Sequence, residues 1–184
     1  MKIYVASSWR NIYQPEVVRL CRGAGHETYD FRNPGPGDNG FGWSEIDPAW
    51  KSWDFERYRE LLNHPRAEQG FRLDMGALRD CDACLLVYPC GKSAHLELGW
   101  AAGAGRRTAI LVPKGIAFPT GAEAEAIFKG HSLYVGGHCK ACLALACTVP
   151  GNLERSFEPE LMSKMADVLL VGQDELVTWL VGLR

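Results

Sequence analysis

The chain has 184 residues, 47% apolar and 23% charged, with a net charge of −2. That is enough for one domain with a proper core, and the lack of a basic excess argues against sequence-independent nucleic-acid binding and for a small-molecule partner. The opening MKIYVASSW lacks the apolar run of a signal peptide, and no stretch is long enough to span a membrane, so the seven cysteines are expected to be reduced thiols of a cytoplasmic protein.

Lys2 to Ala6 reads as a first strand, followed by a loop of Ser7, Ser8, Trp9, Arg10 and Asn11. Asn11 is placed to cap a helix carrying Ile12, Val17, Val18, Leu20 and Cys21, which stops at Gly23 and Gly25. His26 to Phe31 reads as the second strand. A long Pro- and Gly-rich loop, Arg32 to Pro48, holds Phe41, Trp43 and Asp47, and its aromatics favour a lid over a pocket. Trp50 to Leu62 is expected to be helical, and Pro65 to open the next helix, which carries Asp74. The apolar run Ala83 to Tyr88 reads as a strand covered on both faces. A helix from Ser93 to Gly103 and a fourth strand, Arg107 to Val112, follow.

Regularity is lost over 113–157, where Ala122 to Phe128 reads as a short helix and Cys142 to Val149 as an apolar strand or helix. Glu158 to Ala166 reads as a helix, Val168 to Val171 as a fifth strand and Asp174 to Leu183 as a closing helix. The alternation predicts a single α/β domain, a flavodoxin-like or Rossmann-like doubly wound five-stranded parallel sheet with an irregular insertion at about 113–157.

The chemistry centres on residues 71–102. A Glu in the first turn of a helix after a strand projects above the strand's carboxyl end, and helix-terminus amides hold it ionised. Such a carboxylate can attack an anomeric carbon when a second acid serves the leaving group. Glu97 is the candidate nucleophile and Asp74 the second acid. Taken singly, each reads more readily as a solvated helix residue, Asp74 more so than Glu97.

Asp74-Met75-Gly76-Ala77-Leu78, then Asp82, an apolar strand, a short turn and Leu96-Glu97-Leu98-Gly99-Trp100-Ala101 together resemble the nucleoside 2-deoxyribosyltransferase family. The resemblance covers about residues 1–112 and 158–183. It implies a covalent deoxyribosyl intermediate on Glu97, Asp74 holding the sugar and protonating the departing base, and Tyr4 in the first strand contacting Glu97. It also implies a homo-oligomer and no cofactor.

A related branch hydrolyses deoxynucleoside 5′-monophosphates and holds the phosphate with a Ser and an Arg after the first strand, which Ser8 and Arg10 match in spacing. An Arg fork and a hydroxyl suit a phosphate. The turn Cys90-Gly91-Lys92-Ser93 lacks the acid that transferases carry there, so Gly91 and Ser93 are candidate substrate contacts friendlier to an anion. Trp9, Phe41 and Trp43 are placed to sandwich a base or to pack a lid, and Asp30 and Asp47 to read the base edge. His95 is expected to lie behind the reacting groups. A nucleotide-binding sensor without turnover is the alternative from another class. No metal is expected: His138, Cys139 and Cys142, with a distant His131, have zinc-ligand types but lack a second tight pair.

Overall fold

The computed structural model describes residues 1–116, 134–135, 138–139 and 165–183. Its sheet strands are β1 (Lys2–Ala6), β2 (Glu27–Tyr29), β3 (Ala83–Val87), β4 (Arg107–Val112) and β7 (Val168–Val171). Two short strands, β5 (Tyr134–Val135) and β6 (His138–Cys139), pair antiparallel inside the insertion. The helices are α1 (Gln14–Gly23), α2 (Phe55–Leu61), α3 (Pro65–Asp80), α4 (Lys92–Gly103) and α5 (Gln173–Gly182). The five-stranded sheet runs β2-β1-β3-β4-β7, every pair parallel. This is the flavodoxin-like order, with its switch point between β1 and β3. Among the described residues no helix is long and apolar enough to cross a membrane.

Alternating side chains divide the core between the two faces of the sheet. Ile3, Val5, Leu85, Val87, Ala109 and Leu111 pack against Val17, Val18 and Cys21 of α1 and Leu176 and Leu180 of α5. Tyr4, Ala6, Cys84, Leu86 and Ile110 face the other way, under Leu78 of α3 and Ala94, Leu98 and Ala101 of α4.

Three elements differ from the sequence reading. β2 ends at Tyr29, because the Asp30 carboxylate draws the chain into a turn by accepting the amide of Arg32 (3.1 Å) and the side-chain amide of Asn33 (3.0 Å). The expected 50–62 helix is broken: a 3₁₀ turn over Trp50–Ser52 is followed by extended Trp53, and α2 restarts behind Asp54, whose side chain accepts the Arg57 amide. Asn11 is not the helix cap; Tyr13 occupies that position. Residues 158–164 of the expected 158–166 helix lie outside the described residues, as do the elements expected over 122–128 and 142–149.

Candidate functional site

Parallel pairing in register sets β1 beside its neighbours so that Tyr4 is opposite Tyr29 on one side and Cys84 on the other. Neighbouring residues of parallel strands share a face, so the rings of Tyr4 and Tyr29 stack, with centroids 5.3 Å apart and planes 16° from parallel. Two helices bring carboxylates to this tyrosine platform. The Tyr29 hydroxyl donates to Asp74 Oδ1 at 2.7 Å, and Tyr4 lies near enough to Glu97 for each to shift the other's titration. The structure thus brings together the three residues singled out as catalytic and adds Tyr29, which the sequence reading missed.

Glu97 corrects the expectation in position and in charge. It is the sixth residue of α4, beyond the first turn, and its charge is felt by Tyr4 and Cys84 of the sheet. Helix-terminus amides do not reach it. Burial pushes its carboxyl up to about 7, with the Asp74 charge adding to the rise and the Tyr4 hydroxyl opposing it. Asp74 is raised as well, by burial first, against the lowering effect of Tyr29 and with a further push from Asp38. Tyr4 and Tyr29 are both raised, chiefly by burial, so both remain protonated donors at neutral pH. Both carboxyls are thus shifted toward their protonated forms.

The helix carrying Asp74 also anchors the long loop. Arg66, Gly70 and Asp74 recur at four-residue spacing on one face of α3. Arg66 binds Glu45 (2.8 Å) and the Gly40 carbonyl (2.6 Å), with Asp38 3.8 Å away. Phe41 seats on Gly70, where a Cβ would come within 2.8 Å of the Phe41 Cβ. One turn further, Asp74 meets Tyr29. Phe41 and Trp43 meet edge to face at 4.9 Å, and Trp43 turns outward to Trp53 (5.5 Å) and Tyr58 (5.8 Å). Trp43, Trp50, Trp53, Asp54, Phe55 and Tyr58 line a cavity of about 280 Å³. Of the two ring candidates, then, Phe41 lies a turn from Asp74 and Trp43 belongs to this outer cavity. Asp47 is tied up inside the segment, accepting from the Trp53 indole (2.7 Å) and the Ala49 amide (2.8 Å), which hold its carboxyl below the usual range.

The loop after β1 is held from within. Arg32, buried and lowered to about 10 by that burial, donates to the carbonyls of Ser8 (3.1 Å), Trp9 (3.1 Å) and Asn11 (2.8 Å). Trp9 packs edge to face on Phe31 at 5.4 Å and lies against Gly40, whose φ of 75° and closeness to the Phe31 carbonyl leave no room for a side chain. The Ser8 hydroxyl accepts the Arg10 amide at 3.2 Å, and the Arg10 residue is exposed. Asp30 commits Oδ1 to Gln14 and the Arg32 amide and Oδ2 to Asn33, so it organises this loop from a buried position. Asn11 is fully buried; its amide donates to the carbonyls of Val87 (3.0 Å) and Tyr88 (3.1 Å), stitching the β1 loop to the end of β3 across the switch point. Arg32 was not singled out from sequence, and Asn11 was named there only as a helix cap.

At the start of α4, Gly91 is the N-cap with no side-chain cap, and Lys92 and Ser93 are exposed. His95 faces away from Glu97, toward the Gly91 carbonyl (3.1 Å), the Tyr88 hydroxyl (3.4 Å) and the Cys90 sulfur (3.7 Å). Among the described residues no group of three or more His, Cys, Asp and Glu side chains is arranged to hold a metal. His138 and Cys139 are described only as backbone in β6; His131 and Cys142 lie outside the described residues.

No family model, curated protein or solved structure matches this chain.

Proposed function

We propose that this protein is an enzyme that cleaves the N-glycosidic bond of 2′-deoxynucleosides through a covalent sugar intermediate on Glu97 and passes the sugar to another base or to water. The observation that carries this reading is the pair of half-buried carboxyls, Asp74 and Glu97, delivered by separate helices onto the Tyr4–Tyr29 platform with both carboxyls raised. Two electrostatically coupled carboxyls can divide the labour of glycosyl transfer, one as nucleophile and one as acid. A Glu97 oxygen supplies the electron pair for a new C1′–O bond. The C1′–N bond breaks with its pair going to the base, and Asp74 gives that base its proton. A second base or a water then attacks C1′, Glu97 leaves, and the proton returns to Asp74. The resemblance of the D-M-G-A-L and E-L-G-W-A blocks to deoxyribosyltransferases supports the same assignment. The reading needs no cofactor; a homo-oligomer and a cytoplasmic location go with it by resemblance and composition.

A second reading, hydrolysis of deoxynucleoside 5′-monophosphates, is favoured by the open first turn of α4, where Gly91 provides no side-chain cap and Lys92 and Ser93 are exposed, and by the Ser8–Arg10 turn. A panel of deoxynucleosides and their 5′-phosphates, assayed for released base, separates the two. Preference for the phosphates that disappears in Ser8→Ala and Arg10→Ala selects the hydrolase. Mass spectrometry after brief substrate exposure should find a sugar adduct on Glu97. Turnover that persists in Glu97→Ala removes the mechanism, and a wild type that binds substrate but releases no base selects a sensor.

A further inference from the structure

The hydrogen bond between Tyr29 and Asp74 has a direction, and the direction assigns the two oxygens of Asp74. Tyr29 is a protonated phenol, and its O–H points to Oδ1 at 2.7 Å. An oxygen that accepts such a bond is the one that stays unprotonated, so the acid proton belongs on Oδ2. Tyr29 is itself well located: its ring is stacked on Tyr4, and Tyr4 is 1% exposed in the centre of the α3/α4 face.

We propose that Tyr29 is the positioning residue of this site: its hydroxyl holds Asp74 by Oδ1 so that Oδ2 is the oxygen that delivers the proton to the departing base. This rests on the glycosyl-transfer reading above. In the step it serves, the proton moves from Oδ2 to a base nitrogen as that nitrogen takes the electron pair of the C1′–N bond, and Tyr29 keeps its own proton throughout. The stacked pair also couples the acids. Tyr29 binds the acid and stacks on Tyr4, which in turn shifts the titration of Glu97.

The groups around Asp74 fix the sign of the test. Tyr29 from β2 lowers its carboxyl, and Asp38 from the following loop raises it. Tyr4 from β1 feels both Asp74 and Glu97, and Glu97 from α4 is raised by Asp74, with Cys84 of β3 beyond. Arg66, two turns away on α3, is engaged with Glu45 and the Gly40 carbonyl. Removing the Tyr29 hydroxyl therefore removes the chief lowering contact and moves Asp74 upward.

The experiment is Tyr29→Phe, which keeps the ring and loses only the donor. Carbon-13 NMR of labelled aspartate should show Asp74 titrating higher by roughly half a pH unit to one unit, whether or not any reaction occurs. The kcat for base release should fall roughly tenfold with KM within about twofold, and the basic limb of the rate profile should move up with Asp74. In an Asp74→Asn background the same substitution should add nothing, because Tyr29 acts through that carboxyl. An unmoved Asp74 resonance overturns the proposal, as does a loss that merely follows the folded fraction with an unchanged pH profile. If the wild type releases no base from any substrate, the reaction reading fails on its own, and the titration still decides whether Tyr29 holds Asp74.

Discussion

The two faces of one sheet are built from the same strands and follow opposite rules. Toward α1 and α5, β1 and β3 present Ile3, Val5, Leu85 and Val87, a dry aliphatic layer. Toward α3 and α4, the intervening Tyr4 and Cys84 are joined by Tyr29, and two carboxyls are pressed onto them. A single residue's shift along β1 separates the two environments. The aliphatic face lowers the free energy of the fold by burying apolar area; the tyrosine face holds acids where their charged forms are disfavoured. Chemistry is expected on the face that is costly to keep.

The comparison breaks most visibly at its two extremes. Glu97→Ala should abolish base release, a loss on the order of a thousandfold or more, and the sugar adduct with it, while thermal unfolding shows no destabilisation. Leu85→Ala, on the fully buried opposite face, should do the reverse. It should cost about 2–5 kcal/mol in denaturant unfolding and leave turnover per folded molecule intact. A Leu85→Ala enzyme that is fully stable but inactive would mean that the two faces are not separable.

Gly70→Ala tests how far the loop belongs to the acid-bearing face. The new methyl would meet Phe41 at 2.8 Å, and the ring must give way. The overpacking should cost about 1–3 kcal/mol. Because Asp74 stands one turn further on the same face of α3, KM should rise at the same time. A change in stability with unaltered kinetics would assign Phe41 to packing alone.

Much of this contrast is legible in the chain itself, and the remainder is lost for a physical reason. The strands over Lys2–Ala6, Arg107–Val112 and Val168–Val171 are visible as short apolar runs and fall where the sequence places them. Glu97 and Asp74 are visible through the blocks that contain them. Tyr29 is not, because a Tyr near a strand's end looks like ordinary β propensity until the register sets it beside Tyr4, 25 positions earlier. Arg32 and Asn11 look like loop residues, since three carbonyls converging on one guanidinium is a property of the folded chain. The raised carboxyl of Glu97 is not legible either, because its distance from the helix start matters: the dipole acts within the first turn, and by the sixth residue burial outweighs it.

That last difference gives the finest test, in which the sign is the result. The folded protein raises Glu97 from an ordinary 4.5 to about 7, chiefly by burial. A raised carboxyl means that the native state binds the proton more tightly than the unfolded chain. Stability is therefore greatest below the unfolded value, declines as pH climbs through the interval to about 7, and stays reduced above it. Glu97→Gln removes the ionisation and with it that decline. Its stability relative to wild type should increase between pH 5 and pH 8 by about 1 kcal/mol, a figure discounted for the partial exposure of the side chain. The gain should shrink in Asp74→Asn, which lacks the second charge that pushes Glu97 upward. On the aliphatic face Leu85→Ala should show no such dependence, because nothing there changes charge. A Glu97→Gln difference that is flat with pH would place the carboxylate in water, and the division between the two faces would then be one of shape and not of electrostatics.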